Sequence, residues 1–302
     1  MSEINKDDCS ILLEAFKQYL YSEDTSRNTT SEYLSDLSHF LNWYSQTFET
    51  FDIAAVMPGD IRDYREYLQE QIPPLAPATI NRRLAALRRF FFWAKANRFA
   101  ENQPTERIRN VKTTDHGPRS LDRKQWHGLQ RVVEQAKGNQ DVRDRCIVLL
   151  LYHTALRAGE LAALQLSDLI LGERSGHVQV RRGKGNKSRR VPLDAEARSA
   201  IREYLQARPS SEGPSLLVSQ RGELLSAHAI YDVAVKYGHR ARLEDVTPHM
   251  LRHTFARALI ASGTPLSDVA DLLGHSSLDT TRIYTKASET DLAAVVARLE
   301  ER

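Results

Sequence analysis

Cysteine is scarce in this chain: only Cys9 and Cys146 occur among 302 residues. Two thiols do not make the disulfide framework of a small secreted domain or a cysteine-based zinc site, and they fit a reducing compartment. Apolar runs of about 18 residues or more, which a membrane-spanning helix needs, are also lacking. The N-terminus is polar and acidic, without the basic patch and apolar stretch of a secretory signal. We therefore expect a cytoplasmic protein without a membrane segment or a metal site.

A large excess of charge of one sign is lacking too, since the net charge is +3 and the pI is about 8.8. This balance alone is weak evidence for a nucleic-acid partner. The distribution is more informative, because basic residues are few up to residue 77 and cluster from Ile80 to Lys112. A phosphate backbone selects such a cluster, although a solvated helix face is the alternative interpretation.

The length favours two domains, and no internal repeat or low-complexity tract is visible. The polar segment 111–120 has no hydrophobic period and contains Gly117-Pro118, so it predicts a linker between domains 1–110 and 121–302. Apolar residues at helical spacing predict four helices in the first domain. These predicted helices are Cys9–Tyr21, Thr29–Phe48, Pro58–Gln71 with Asp60 as its cap, and Ala78–Asn97.

The second domain is predicted to be mainly α with one small β-hairpin. Its strands are His177–Arg181 and Arg189–Leu193, joined by a turn at Gly183–Asn186. A strongly apolar helix, Cys146–His153, precedes the hairpin. The helices expected after it are Ala195–Gln206, Ala227–Tyr237, His249–Ser262, Pro265–Leu273 and a tail from Thr290.

The predicted helix Ala78–Asn97 has two faces. A buried stripe is expected from Ile80, Leu84, Leu87 and Phe91. Arg82 and Arg89 share another face with Arg83 beside them, and these three arginines are candidate DNA contacts.

Four separated segments carry groups suited to chemistry on a phosphodiester. They are Thr154–Leu161 with Arg157, Gly183–Lys187 with Lys184, Pro248–Phe255 with His249 and Arg252, and Leu272–Ser277 with His275, followed by Tyr284. Cleaving a phosphodiester without an energy source needs fixed cations on the phosphate oxygens and a nucleophile that conserves the bond energy covalently. Arginine suits the first task because its planar fork donates two hydrogen bonds and keeps its charge. Alone, each residue is an ordinary salt-bridge, turn or surface residue, and the interpretation rests on all six in this order.

In order and spacing these segments resemble the tyrosine recombinase (phage-integrase-like) family, and within it the bacterial Xer-type branch. The resemblance implies a helical N-terminal core-binding domain and an α-rich catalytic domain with a small β-sheet, closing as a C-shaped clamp on DNA. Two departures are visible: Ala155 stands where many relatives have glycine, and Lys187 is a second candidate for the role of Lys184.

The resemblance also implies roles for the six residues, with no cofactor. Tyr284 is the nucleophile that forms a 3′-phosphotyrosine, and Arg157 and Arg252 hold the non-bridging oxygens. His249 assists proton removal from Tyr284, Lys184 protonates the leaving 5′ oxygen, and His275 hydrogen-bonds the phosphate. Glu160 resembles an acidic residue that orients this site in relatives.

The resemblance further implies how DNA is bound and how subunits assemble. It puts Ala78–Asn97 and Ser226–Tyr237 against major grooves on opposite sides of a duplex. Candidate contacts on the second side are His228, Lys236, Arg240 and Arg242, besides His239. The expected partners are DNA with inverted half-sites and a homo- or hetero-tetramer on two sites. An apolar stripe in the tail, made of Leu292, Val295, Val296 and Leu299, either packs on its own domain or, as we prefer, on a neighbouring subunit.

The predicted function is site-specific recombination through a four-way junction, for resolution of dimers or cointegrates. The alternatives are a mobile-element integrase or excisionase, a non-catalytic DNA-binding relative, and a type IB topoisomerase-like enzyme that uses the same chemistry to relax supercoils.

Overall fold

A computed structural model describes residues 6–23, 25–48, 52–112, 119–181 and 188–274. The chain divides into two compact units, residues 1–115 and 116–302. This division falls within the predicted linker 111–120, whose boundaries stay predictions. Within the described residues, no helix combines the length and the apolar character that crossing a bilayer requires.

The first unit contains the four helices that the sequence predicts. They are α1 (Lys6–Ser22), α2 (Arg27–Phe48), α3 (Pro58–Gln69) and α4 (Pro77–Ala96). Their core is rich in aromatic rings, with Phe40 edge-on to both Tyr64 and Phe91. The predicted stripe of α4 is buried, because Ile80, Leu84, Leu87 and Phe91 are each 2% exposed or less.

Two details of the first unit differ from the prediction. The helix α3 begins at Pro58, a residue favoured at the first helical position, so Met57 and not Asp60 is its cap residue. Asp60 lies in the first turn, where its carboxylate accepts from the Met57 amide at 2.9 Å. The start of the predicted linker is also held on α4, because Asn81 exchanges two hydrogen bonds with the Val111 backbone.

The second unit packs around α6 (Asn139–His153). From Cys146 to Leu151 every side chain is 6% exposed or less, as expected of a helix that is apolar on all sides. The helix contacts α5 (Arg123–Gln135), α7 (Ala158–Ala162), α8 (Ala195–Ala207), α9 (Ala227–Arg240) and α10 (Pro248–Ala261). The last described helix, α11 (Leu266–Leu273), ends at Gly274 in the left-handed conformation.

A small antiparallel sheet lies beside these helices, in the strand order β1-β2-β3. Strands β2 (Gly176–Val180) and β3 (Arg189–Pro192) are the predicted hairpin, with Val178 paired to Val191. Strand β1 (Leu169–Leu171) was missed, since a run of three apolar residues has no period that separates a strand from a helix. The mainly α fold with a small sheet is confirmed.

Candidate active site

Arg157 lies at a tight turn between α6 and α7. Thr154 is the C-cap residue of α6, and Ala155 then adopts a left-handed φ of 49°. Glycine reaches this conformation without cost, whereas other residues pay about 1–2 kcal/mol. The turn therefore gives a physical reason for a glycine at the position of Ala155. Arg157 follows as the N-cap residue of α7.

Glu160, one turn into α7, accepts hydrogen bonds from two arginines. Its carboxylate accepts hydrogen bonds from the backbone amide and Nη1 of Arg157, both at 2.9 Å. Arg189 of β3 donates Nη1 to Oε1 at 2.9 Å and Nη2 to Oε2 at 2.8 Å. Burial alone would raise the pKa of Glu160, but the hydrogen bonds from Arg189 and the Arg157 amide, with both positive charges, lower this pKa to about 2. Glu160 thus stays ionised and holds Arg157 at the turn.

Arg252 reaches the same turn from α10. The residue is 3% exposed, and its Nη1 and Nη2 donate to the carbonyl oxygens of Ala155 at 2.5 Å and Leu273 at 2.6 Å. Both acceptors are neutral, so these bonds orient the guanidinium without cancelling its charge. They also tie α10 to the turn at Ala155 and to the end of α11.

His249 lies one helical turn before Arg252 on α10, as the spacing predicts. Desolvation lowers the pKa of its imidazole, and the positive charges of Arg252 and Arg157 lower it further. The ring is therefore mostly neutral near pH 7 and able to accept a proton. His253, one turn further on, has its pKa lowered to about 4 by burial and by the nearby His249 and Arg252.

The described part of the site has an excess of positive charge. The guanidiniums of Arg157 and Arg189 bond to the carboxylate of Glu160, and that of Arg252 bonds to the Ala155 carbonyl of the same turn. Such fixed cations suit an anionic substrate whose charge grows on reaction. In the described part of the chain, no group of three or more histidine, cysteine or acidic side chains is arranged to hold a metal ion.

Three predicted catalytic residues lie outside the described residues: Lys184, His275 and Tyr284. The alternative lysine Lys187 and the tail stripe of Leu292, Val295, Val296 and Leu299 lie outside them as well. Their roles stay predictions.

The candidate DNA contacts on α4 bond to neighbouring side chains. Arg82 donates to the buried Asp36 at 2.6 Å, and Arg83 lies 3.7 Å from the same carboxylate. Arg89 pairs with Glu23 at 2.9 Å. The side chains of Arg82 and Arg89 remain more than a third exposed, whereas that of Arg83 is 16% exposed.

The candidate DNA contacts on and after α9 also differ in whether they bond to a neighbouring carboxylate or remain exposed. Lys236 donates to the buried Asp144 at 2.8 Å. Arg240 reaches Asp141 at 3.4 Å and lies over the Tyr237 ring. His228 is exposed, 3.8 Å from Asp232, and Arg242 is exposed with a φ of 58°.

Arg189 is the site residue that the sequence reasoning missed. It lies two residues before Val191, so both side chains fall on the same, buried face of β3. A buried arginine needs a carboxylate partner, and this alternation was the available signal. The sequence alone does not say that the partner is Glu160, 29 residues earlier.

Comparison with known proteins identifies the family of this chain. Residues 119–291 match the Phage integrase family, and residues 13–98 match the domain described as Phage integrase, N-terminal SAM-like domain. The curated Tyrosine recombinase XerA of Pyrococcus furiosus is 35% identical over 294 residues, covering 96% of this chain and 94% of the relative. Tyrosine recombinase XerD of Lacticaseibacillus casei is 33% identical over 298 residues, covering 96% and 99%.

Solved structures share the fold. The post-cleavage complex of the XerH site-specific recombinase with palindromic difH substrate matches with a TM-score of 0.76 at 23% identity, over 95% of this chain and 84% of that one. The crystal structure of XerA recombinase matches with a TM-score of 0.54 at 26% identity, over 97% and 99%. Two family matches and relatives above 30% identity over nearly the whole chain show that this protein belongs to the phage integrase family of tyrosine recombinases.

Proposed function

We propose that this chain is a site-specific DNA recombinase that cuts and rejoins duplex DNA through Tyr284. The observation that carries the proposal is the convergence of Arg157, His249 and Arg252 at one turn. Arg252 donates to the Ala155 carbonyl, and the charge of Arg157 reaches the His249 ring. Membership of the tyrosine recombinase family supports the same chemistry.

In the cleavage step, the Tyr284 oxygen attacks the scissile phosphorus and the bond to the 5′ oxygen breaks. Arg157 and Arg252 bind the non-bridging oxygens, where charge increases in the transition state. His249, kept neutral by its surroundings, takes the phenolic proton. Lys184 gives a proton to the departing 5′ oxygen, and His275 hydrogen-bonds the phosphate. The product is a 3′-phosphotyrosine with a free 5′-hydroxyl.

In the rejoining step, a 5′-hydroxyl from the partner duplex attacks the phosphotyrosine and releases Tyr284. Two rounds of exchange pass through a four-way junction and need four subunits on two DNA sites. The DNA partner is a duplex with inverted half-sites, in line with the palindromic substrate of XerH. α4 and α9 contact the major grooves on opposite sides of the duplex, as the family resemblance implies. We assign residues 1–110 to the core-binding domain, 111–120 to the linker and 121–302 to the catalytic domain.

The biological role proposed is resolution of DNA dimers or cointegrates in the cytoplasm. The named relatives are Xer recombinases along nearly their whole length, and this favours resolution over integration of a mobile element. A cell that lacks this protein should accumulate multimers of a plasmid carrying the cognate site.

The experiment that tests the proposal first enriches a DNA site. A pool of random duplexes is selected for binding to the full chain, and the resulting sequence is here named the selected duplex. A nick placed near its centre lets the short fragment that carries the new 5′-hydroxyl diffuse away after cleavage, which traps the covalent complex. The wild-type chain should give a slower-migrating band in a denaturing gel.

Matched tyrosine variants assign the nucleophile. Tyr284→Phe should abolish the covalent band and keep binding to the selected duplex. Tyr21→Phe, at an exposed tyrosine of α1, should keep both. Binding without a covalent band in the wild-type chain would instead indicate a non-catalytic DNA-binding protein. Relaxation of supercoiled plasmids that lack the selected duplex would favour the topoisomerase-like alternative.

A further inference from the structure

Arg189 bonds to two separate parts of the candidate active site. Its guanidinium gives Nη1 and Nη2 to the two oxygens of Glu160 and gives Nε to the Leu272 carbonyl at 2.9 Å. The side chain is 11% exposed, and that of Glu160 is 6% exposed. Three directed bonds in a buried setting fix both partners in position.

Each partner of Arg189 belongs to a different part of the site. Glu160 holds Arg157 through the backbone amide and Nη1. Leu272 lies three residues before His275, and Leu273, the next residue, accepts from Arg252. Arg189 itself starts β3, five residues after Lys184. One side chain therefore connects β3, the Glu160 carboxylate that holds Arg157, and the end of α11 that Arg252 also contacts.

The end of α11 is shaped to admit this guanidinium. Gly274 has a φ of 63°, and a Cβ placed on it would lie 2.8 Å from Nη1 of Arg189. A side chain at this position would have to displace the guanidinium or move the α11 terminus. Glycine is thus needed here for space as well as for its backbone conformation.

We propose that Arg189 is a positioning residue for DNA cleavage, which aligns Arg157 through Glu160 and the His275 segment through Leu272. The inference rests on the proposed recombinase function and adds a residue to it. Arg189 acts through its partners and does not touch the scissile phosphate. Because misplacing catalytic groups by about 1 Å costs about 100-fold in rate, loss of these bonds slows cleavage and leaves DNA affinity intact.

The charge of Arg189 gives the proposal a distinctive pH signature. Burial favours protonation of Glu160, and the bonds from Arg189 are the largest influence opposing it. Without Arg189, the pKa of Glu160 rises, and protonation then releases Arg157 as the pH falls. Among the described residues, Asp168 and Arg181 are the other charged groups that line a cleft with Glu160, and they pair with each other.

The test compares Arg189→Gln with the wild-type full chain on the nicked selected duplex. Single-turnover formation of the covalent complex is measured from pH 5 to 8, with binding measured on the same duplex. Arg189→Gln should cleave about 100-fold more slowly, with affinity within about threefold of wild type, because it makes no contact with DNA. It should also lose rate toward low pH more steeply than wild type. This extra loss of rate should vanish in the double variant that combines Arg189→Gln with Glu160→Gln. The decrease in rate at low pH that comes from protonation of His249 should remain in all variants.

Two further variants complete the test. Arg189→Lys keeps a positive charge near Glu160 but lacks the planar guanidinium that donates two parallel hydrogen bonds. It should therefore cleave at an intermediate rate, without the extra loss of rate at low pH. Arg174→Gln makes the same charge change at an exposed turn residue between β1 and β2 and should behave as wild type.

The outcomes separate this inference from the proposed function. A folded Arg189→Gln protein that cleaves at the wild-type rate, or that loses cleavage and affinity in equal proportion, would overturn the positioning role. If Arg189→Gln does not fold, Arg189→Lys decides: a rate within threefold of wild type overturns the proposal, and a tenfold loss with intact affinity supports it. Absence of a covalent band in the wild-type chain would instead refute the proposed function.

Discussion

The two units each contain a buried carboxylate facing two arginines, yet the two carboxylates are affected in opposite ways. In the first unit Asp36 faces Arg82 and Arg83, and burial raises its pKa although both arginines oppose this. In the second unit Glu160 faces Arg157 and Arg189, and its pKa falls to about 2 in spite of burial. Each carboxylate faces two arginines, and the clusters differ in their hydrogen bonds and in the nearby Glu32, whose charge also raises the pKa of Asp36.

Glu160 receives four hydrogen bonds, two from each arginine. Asp36 receives one at 2.6 Å from Arg82, whereas Arg83 lies at 3.7 Å and bonds to His39 instead. A fully bonded carboxylate fixes its arginines rigidly, as a catalytic site requires. A partly bonded one holds Arg82, which is 39% exposed, by a single contact, and we expect this arginine to exchange the carboxylate for a DNA phosphate.

Neutralising each carboxylate in turn should give the largest difference between the two clusters. Glu160→Gln should lower the free energy of unfolding of the second unit by about 3–5 kcal/mol, because it leaves buried arginines without their counter-charge. It should also slow covalent-complex formation by about 100-fold. Asp36→Asn should change the stability of the first unit by less than about 1 kcal/mol, since its pair is partly exposed and the amide oxygen still accepts from Arg82.

Hydrogen exchange read by mass spectrometry follows the units separately through peptides of α6 and α4. Equal losses for the two variants would contradict the distinction between the clusters.

The pH dependence of stability should also differ between Glu160 and Asp36. The pKa of Glu160 is lowered from 4.5 to about 2, so its contribution is present above pH 4.5 and is lost as the pH falls toward 2. The shift corresponds to about 3 kcal/mol. The pKa of Asp36 is raised, so the stability it contributes is present below its ordinary pKa of 3.8 and is lost as the pH rises through the folded value.

The free energy of unfolding of wild type minus Glu160→Gln, measured in denaturant between pH 2 and 6, should therefore rise with pH. Wild type minus Asp36→Asn should fall with pH. Parallel curves would mean that the two carboxylates have the same environment.

A smaller effect is expected for DNA binding by Arg82. Arg82→Gln should lower the slope of log affinity against log salt by about 0.9, the loss of one phosphate contact. Affinity for the selected duplex at moderate salt should fall by about three- to tenfold. Fluorescence anisotropy over a salt series measures both quantities. Arg62→Gln, at an exposed arginine of α3, is the control with the same charge change, and an identical slope in both variants would argue against a contact by Arg82.

The smallest effect concerns the strained turn that the Glu160 cluster depends on, whereas the Asp36 cluster lies on regular helices. Ala155→Gly relieves the left-handed strain at φ 49° but removes a methyl packed near Ala256 and Leu273. The stability of the second unit should therefore change by less than about 1 kcal/mol. Ala256→Gly, in the same apolar cluster but within α10, should destabilise by about 1 kcal/mol or more. Equal losses in denaturant unfolding would mean that the φ of Ala155 carries no strain.

The sequence predicts local features of the molecule better than long-range ones. The existence of most helices follows from apolar spacing, although α6 begins at Asn139, seven residues before the predicted start at Cys146. The placement of His249 and Arg252 one turn apart follows from their separation on one helix. Arg82, the partner of Asp36, lies 46 residues away, and Arg189, the second partner of Glu160, lies 29 residues away; no local pattern encodes such pairs. The three-residue strand β1 and the left-handed turn at Ala155 also depend on the tertiary fold.

The central claim is that the phenolic oxygen of Tyr284 becomes bonded to a 3′-phosphate of DNA. Mass spectrometry tests this directly on the trapped complex after digestion by nuclease and protease. The account predicts that the peptide containing Tyr284 carries the nucleotide remnant, joined through its 3′ phosphate. A remnant on any other residue, or attachment through a 5′ phosphate, would contradict it.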